Sequence, residues 1–541
     1  MKRVLLAVIA LIGCFYTGGC RKQSSGEGWI EDLKPCLQSI TAEDLLRHIK
    51  ILASDAFEGR APGTRGEQLT IAYLTAQFKQ LGLKPGNPDG TYIQEVPMAA
   101  IKGTPDAYFA SSGRRLQLAF PADYLAVSRL QREEIKIRDS EMIYVGYGTI
   151  APEYGWDDYK GIDVRGKTLV MLINDPPVPD PADPSKLDEK MFKGKAMTYY
   201  GRWTYKYEIA AKQGAAAAIL IHETDRAGYP YEVLVGSHSQ ENVVLDGTDS
   251  KEVVPVESWI TLQTATRLFT MEGTSFETMK SAAASKDFKP VPLKSRANFV
   301  IKNSVRKILS GNAVAILEGS DPLLKEQCLV YSAHWDHLGK DESLKGDQIY
   351  NGARDNASGA AGLLAIAKAY TRADARPKRS ILFFSPTAEE NGLLGSRYYA
   401  EHPLVPLAQT VADINMDSLN LQGRARDIVV IGSDPSPLDG IERQVARWQG
   451  RRVEPEFQPE KGLFFRSDSF EFARRGVPVL YTDAGVDLVG KPPEYGKRIR
   501  GEYTRRDYHK VTDEVKADWD LSGAVEDLQF FFLVGYRYAN R

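Results

Sequence analysis

The spacing of apolar residues along this 541-residue chain changes repeatedly, and each change predicts a different kind of element. At the start, MKRVLLAVIALIGCFYTGGC runs from basic Lys2 and Arg3 through an apolar stretch, Val4 to Tyr16, into small residues. That pattern is an export signal, too short to span a bilayer. From Thr41 a helical pattern gives way to the turn-rich LASDAFEGRAPGTRGEQ. A second helix is predicted from about Gln68 to Leu81, where Ile71, Leu74, Phe78 and Leu81 recur at helical spacing and Gly82 stands as the stop. From Leu125 to Pro290 the pattern shortens to strand-like pieces such as EMIYVGYG and KTLVMLIND, joined by Gly, Pro and Asp, which predicts a β-rich insert. Inside it, KYEIAAKQGAAAAILIHE gives a short helix, a break at Gly214 and an apolar strand. The long loop from Pro176 to Trp203 is a candidate lid.

After Arg296 the pattern becomes regular. The apolar runs CLVYSA, SILFFS, TVADINM and GVPVLYT alternate with helical stretches such as GAAGLLAIAKAY. Continuous apolar strands alternating with helices predict an α/β fold, with a mostly parallel central sheet flanked by helices and interrupted by the insert. The expected division is a signal over 1–20, the first part of the main domain over 21–124, the insert over 125–290 and the rest of the main domain over 291–541. That length exceeds what one core usually serves, so two or three folded units are expected.

Composition narrows the function classes. Lys plus Arg number 69 against 71 for Asp plus Glu, so no global field recruits nucleic acid or an anionic membrane. Gly18 and Gly19 before Cys20 resemble a bacterial lipobox. LIGC, ending at Cys14, is the better local match, but cleavage there would leave an unusually short signal, and the polar RKQSSGEG after Cys20 reads as a tether. The expectation is an exported periplasmic or cell-envelope protein, lipid-anchored at Cys20, with a cleaved signal and a free protein as the alternative. Cys36 and Cys328 would then be the remaining cysteines, and two isolated Cys make no zinc motif.

Each regular apolar run ends in a polar cluster, and in open α/β sheets ligands bind beyond the carboxyl ends of strands. The clusters SAHWDHLG, NGARDNASG, SPTAEENGLLGS, INMDSLN and RRDYHKVTDE carry His334, Asp355, Glu389 with Glu390, Asp417 and His509. Nitrogen and carboxylate donors without thiolate fit zinc, with cobalt or manganese as substitutes. One Asp can bridge two ions, leaving each a further carboxylate and a His, and one carboxylate of the Glu pair remains over. Singly, each cluster has a bland reading as a solvated turn or a satisfied polar residue. Their joint occurrence at successive strand ends is what carries weight. His48, His222, His238 and His402 fall outside these clusters. His337 completes H-x-D-H, half of the metallo-β-lactamase motif, but Ser332 stands where that motif has a further His. It is left as a metal-site neighbour, a substrate contact or an ordinary loop residue.

In this order the motifs resemble the M28 family of zinc peptidases, and DAFEGRAPGTRGEQ is similar to a family opening. The insert, with KGIDVRGKTLVMLIND and AAKQGAAAAILI, resembles a protease-associated domain. The resemblance implies two zinc ions and peptide substrates. It makes His334, Asp355, Glu390, Asp417 and His509 the metal ligands, with Asp355 bridging. It makes Glu389 the general base, Asp336 the residue that orients His334, and Tyr508 a donor to the developing oxyanion. Asp468 stands where the family has Asp followed by His, and here Ser469 follows. The implied activity is that of an aminopeptidase. A carboxypeptidase is the alternative and would need cations for a free carboxylate, for which Arg354, Arg466, Arg474 and Arg500 are candidates. A glutaminyl cyclase is the weaker enzyme reading, and a receptor-like relative would be expected to lack ligands.

Overall fold

The computed structural model describes residues 28–248, 251–432 and 435–541, so the export signal and Cys20 lie outside the described residues. The helix predicted over 68–81 spans Arg65–Gln80, with Ile71, Leu74 and Phe78 buried. Gly82 follows at φ +72°, a conformation that favours glycine. Ahead of it, Ala42–Leu52 is capped by the Thr41 hydroxyl, which accepts from the Asp44 N–H at 3.3 Å. Buried Glu67 accepts from the Ser310 hydroxyl at 2.8 Å and the Gly311 N–H at 3.0 Å, tying the second helix to the strand Val291–Leu317.

The four apolar runs are strands at Cys328–Ser332, Ser380–Ser385, Thr410–Asn415 and Val479–Asp483. They pair in parallel, with Cys328–Ser332 between Ser380–Ser385 and Thr410–Asn415, and Val479–Asp483 outside the latter. Alternate residues face opposite layers. Leu329 and Tyr331 pack with the helices Gly359–Thr371 and Ser522–Ala539, while Cys328 and Val330 pack with Phe384, Tyr399 and Phe472. A strand covered on both faces has no polar side, which is why these runs are continuous. Gly359–Thr371 is buried on nearly every side, as its all-round apolar sequence requires. The thiols of Cys36 and Cys328 are free and buried, and burial pushes them up to about 11 and about 12. No described helix is long and apolar enough to cross a membrane.

Val291–Leu317 joins this sheet to the insert. It pairs antiparallel with Ser380–Ser385 near its end and with Glu134–Tyr144 near its start. It also pairs with Ile93–Ser111, from Arg296 opposite Ala110 to Ala313 opposite Ile93. Beyond Glu134–Tyr144 the sheet continues in parallel through Thr168–Leu172, Ala217–His222 and Val256–Thr261. The segment 125–290 is not dominated by strands as its pattern suggested. It also holds the helices Trp203–Lys212, Tyr231–His238, Leu262–Met271 and Phe276–Ala283. The last two start at hydroxyl caps, Thr261 accepting from Thr264 N–H and Ser275 from Thr278 N–H, both at 3.1 Å. Their shortness hid the helical period among the strands.

The stretch from Pro176 to Trp203 is packed at its ends and at Phe192, and much of 179–195 is exposed. Phe192 is fully buried against Trp156, and the Met197 N–H donates to the Pro459 carbonyl at 2.9 Å. Tyr199 packs on Phe470 with ring centroids 5.2 Å apart.

Gly535 gives a direct test of the packing. In an exposed helix Gly→Ala gains about 1 kcal/mol. Here a Cβ would strike the Tyr331 hydroxyl, which is held by the Phe531 carbonyl at 2.9 Å and by Tyr370. Gly535→Ala should therefore destabilise by about 1–3 kcal/mol, read by equilibrium denaturation.

Candidate metal centre

The polar clusters meet at the carboxyl ends of the parallel strands. His334 and Asp417 each follow a strand end by two residues, and the Glu389–Glu390 pair leaves the strand Ser380–Ser385 by a short turn. Asp355 lies in an irregular turn before the helix Gly359–Thr371, and His509 follows the helix Tyr495–Arg506. His334 Nε2 is buried without a hydrogen-bond partner. It faces Asp355 Oδ1 at 3.5 Å, Asp417 Oδ1 at 3.6 Å and Glu389 Oε2 at 3.8 Å. The second oxygen, Asp355 Oδ2, lies 3.3 Å from His509 Nε2, which is 3.0 Å from Glu390 Oε2.

These separations can be judged against coordination geometry. Two ligand atoms bound about 2.0–2.1 Å from one tetrahedral zinc lie about 3.4 Å apart. His334, Asp355 and Asp417 satisfy that spacing, and so do Asp355, Glu390 and His509. Asp355 turns one oxygen to each group, so the donors fit a zinc site. Glu389 belongs to neither spacing as well as the others do and is the carboxylate left over.

Electrostatics points the same way. Burial by itself would discharge His509, but Glu390 and Asp355 lift its pKa to about 10. Burial opposes charge on His334 too, yet Glu389, Asp336, Asp355 and Asp417 raise it well above the ordinary value. Burial also works against a charged Glu390, but His509 and His337 hold it at about 2. Burial, reinforced by Glu390, Asp417 and Asp468, pushes Glu389 well above the usual carboxyl range. A cluster that keeps buried imidazoles charged is one whose carboxylates call for cations. Tyr508 stacks on His509 with centroids 3.9 Å apart, and burial raises its phenol, which therefore stays a donor.

Several residues orient the donors, not all as the sequence implied. The Asp336 carboxylate is 3.7 Å from His334 Nδ1, which lies nearer, at 3.2 Å, to the Asp336 backbone carbonyl. That carboxylate instead accepts the Glu389 N–H at 3.0 Å and the Glu390 N–H at 3.4 Å, holding the turn that carries both. His337 donates from Nδ1 to Glu390 Oε1 at 2.6 Å and leaves Oε2 toward His509. With Asp355 and Glu390 it also forms a group of potential donors. Asn356 accepts from Ser418 N–H at 3.1 Å and donates to the Met416 carbonyl at 3.0 Å, fastening the Asp355 turn to the Asp417 turn.

Three residues escaped the sequence reading, and the state of a fourth did. Asp513 accepts the Asp355 N–H at 3.0 Å. Its place four residues after His509, in HKVTDE, was the available signal. Ser237 lies in the insert, and its hydroxyl pairs with His509 Nδ1 at 2.8 Å. No local signal marks it. Arg60 is buried and donates to the carbonyls of Leu52, Trp335, Asn351 and Gly352, and its DAFEGR setting marks it only as a turn. Asp468 was noted, but not its state: it is buried, neither oxygen has a partner among the described residues, and burial pushes its pKa to about 7. The Ser469 hydroxyl is taken up by Ser467 at 2.7 Å.

Residues 312–533 match the family model of Peptidase family M28. The chain is similar to leupeptin-inactivating enzyme 1 of Streptomyces exfoliatus, 29% identical over 174 residues. That match spans 31% of this chain and 38% of the relative. Among solved structures, the aminopeptidase from Aneurinibacillus sp. strain AM-1 aligns at 18% identity with a TM-score of 0.53, covering 94% of this chain and 96% of that one. The Peptidase M28 precursor from Shewanella amazonensis SB2B aligns at 16% identity with a TM-score of 0.50 and the same coverage. At these identities the two structures show the fold.

His337→Ala should weaken metal binding about 10- to 100-fold, as expected for loss of a group that orients a ligand. Titration against a zinc-buffered indicator measures it, and an affinity unchanged from native would remove His337 from the site.

Proposed function

We propose that this chain, whose residues 312–533 match the family model of Peptidase family M28, is an aminopeptidase that uses two zinc ions to remove N-terminal residues from peptides. The observation that carries this reading is Asp355, with one oxygen toward His334 and the other toward His509. A single buried carboxylate between two sets of donors is the arrangement a pair of cations needs. Zinc, when bound, supplies Lewis acidity that acidifies water and polarises the scissile carbonyl.

The chain's own residues do the rest. Glu389, raised by burial and free of either donor set, takes a proton from the attacking water and returns it to the leaving amine. The Asp336 carboxylate keeps Glu389 and Glu390 pointing apart by holding both of their N–H groups. Tyr508, kept protonated by burial and lining the cleft, donates toward the carbonyl oxygen as charge develops there. Tyr199, Arg202 and Trp203 of the insert wall the cleft, which favours chain ends over the middle of a folded protein. The name of the Aneurinibacillus relative supports the aminopeptidase reading. A carboxypeptidase is the second reading, favoured by the arginines around the centre. The complete donor set argues against a receptor-like relative. Export to the envelope, with a lipid on Cys20, rests on residues 1–27 alone.

Two measurements test the proposal. Peptides blocked at the N-terminus, at the C-terminus or at neither, incubated with and without chelator, should show zinc-dependent loss of residues only from free N-termini. Removal of residues from the C-terminus instead would transfer the reading to a carboxypeptidase. In the second, Asp355→Ala should lose metal from both positions by elemental analysis, and Glu390→Gln chiefly from one. Glu389→Gln should keep both ions and lose about 10²- to 10⁴-fold in kcat, with KM little changed. Wild-type kcat in Glu389→Gln would rule out its role as base.

A further inference from the structure

Cavities open on two sides of the metal centre. One runs toward the insert, past Glu390 and His509. The other is a smaller chamber that reaches Asp355, Asp417 and Glu389 and is walled by Arg354, Arg466, Arg500 and Lys461, with Asp483 as its other acidic residue. We infer that this chamber is a carboxylate subsite, so that the enzyme releases an acidic terminal residue, aspartate or glutamate. The inference rests on the exopeptidase reading above and names its substrate class.

The wall carries more positive charge than its own acids answer. Asp355, Asp417 and Glu389 are committed to the metal centre. Of the four cations, Arg500 has a partner, Asp483. Among the described residues no carboxylate lies within ion-pair distance of Arg354, Arg466 or Lys461. The Arg354 Nε is buried without a hydrogen-bond partner, and its guanidinium lies over the Tyr503 ring at 4.2 Å. The Arg466 Nε is likewise buried and unpartnered, while its Nη2 donates to the Ala227 carbonyl at 2.9 Å. Lys461 is pushed down to about 8 by burial and by Arg500 and Arg466, with Glu460 opposing. Glu460 is ion-paired with Lys195 at 3.2 Å. Glu456 lies close enough to Arg500 to feel its charge but is not among the chamber's lining residues.

A buried guanidinium with an unused donor costs free energy unless something supplies the acceptor. An aromatic face stabilises the cation but leaves its N–H directions open. A carboxylate accepts two parallel N–H bonds from one arginine, and a second cation tightens the pair. The chamber is also rimmed by Tyr481 and Tyr503 and is reached from the metal centre past Tyr508. That places a terminal side chain in the chamber while its own peptide carbonyl stays at Glu389. A neutral chain end gains nothing from these cations and must leave them unpaired.

The zinc-loaded enzyme is assayed on matched peptides that begin with Glu, Gln, Asp, Asn or Leu, all with free N-termini, and on N-acetylated peptides that end in the same residues. Glu should be released with kcat/KM about 10- to 100-fold above its isostere Gln, and Asp likewise above Asn. In Lys461→Glu and in Arg354→Gln the Glu-to-Gln ratio should fall at least tenfold below native. Free glutamate should inhibit the native enzyme more tightly than free glutamine, a reading that needs no variant to fold. Gln or Leu released as fast as Glu, with glutamate no better an inhibitor than glutamine, would overturn the subsite and leave the aminopeptidase standing. Loss of C-terminal residues from the acetylated set alone, sensitive to Arg354→Gln, would overturn the aminopeptidase reading. It would keep the carboxylate site and assign it to the main-chain carboxylate.

Discussion

The structure is organised around burying an excess of carboxylates in one place. The side chains of Asp336, Asp355, Glu389, Glu390, Asp413, Asp468 and Asp513 are nearly inaccessible, and that of Asp417 is somewhat less so. Leaving such groups ionised in a low-dielectric interior costs several kcal/mol each unless hydrogen bonds and opposite charge offset it. The chain answers some of that cost itself. Backbone N–H groups of 354, 355, 389 and 390 are spent on Asp513 and Asp336. Arg60 adds a buried positive charge that feels Asp336, Asp513, Asp355 and Glu390. Its guanidinium also gathers four carbonyls, so the turn at the N-terminal edge, the His334 loop and the Asp355 loop share one fastener. The remaining imbalance is what a divalent cation would neutralise.

The strands of 125–290 and those after residue 290 share one sheet. Val291–Leu317 runs through both, pairing with strands of each, so the helix Tyr231–His238 is held against the centre by a rigid ladder. Gly236 lets that helix approach the His509 carbonyl closely, since a Cβ there would sit 2.8 Å from the oxygen. The neighbouring Ser237 then reaches His509 Nδ1. An imidazole bonded at Nδ1 presents Nε2 to a cation in a fixed direction. The insert thus supplies orientation as well as a wall, although it contributes no group of either donor set.

Charge is divided unevenly around the centre. On the side of 125–290, Arg474 is matched by Glu471 at 3.1 Å and Arg129 by Glu257 at 3.0 Å, while buried Arg202 has no carboxylate partner among the described residues. In the opposite chamber Arg354, Arg466 and Lys461 have no carboxylate partners among the described residues, and Arg354 and Arg466 are held instead by the Tyr503 and Tyr229 rings and the Ala227 carbonyl. Cations without a carboxylate partner favour an anionic ligand.

The sequence by itself determined the parts whose logic is local. Continuous apolar runs fixed the buried strands, because a strand covered on both faces admits no polar position. The polar clusters named His334, Glu389, Glu390 and Asp417 beside the ends of parallel strands, while Asp355 and His509 come from turns next to helices. Only the tertiary structure decided how those groups face one another. Which oxygen of Asp355 looks toward which histidine depends on Asn356, Asp513 and the Asp417 turn, which are separated along the chain. The Asp336 carboxylate serves the Glu389–Glu390 turn more closely than His334, because the turn comes nearer in space than the imidazole does two residues away. Ser237 and Lys461 carry no signal along the chain, and the segments that hold Arg60 and Arg354 give their place but not their contacts. Their roles come from contacts across hundreds of residues, which no spacing along the chain records.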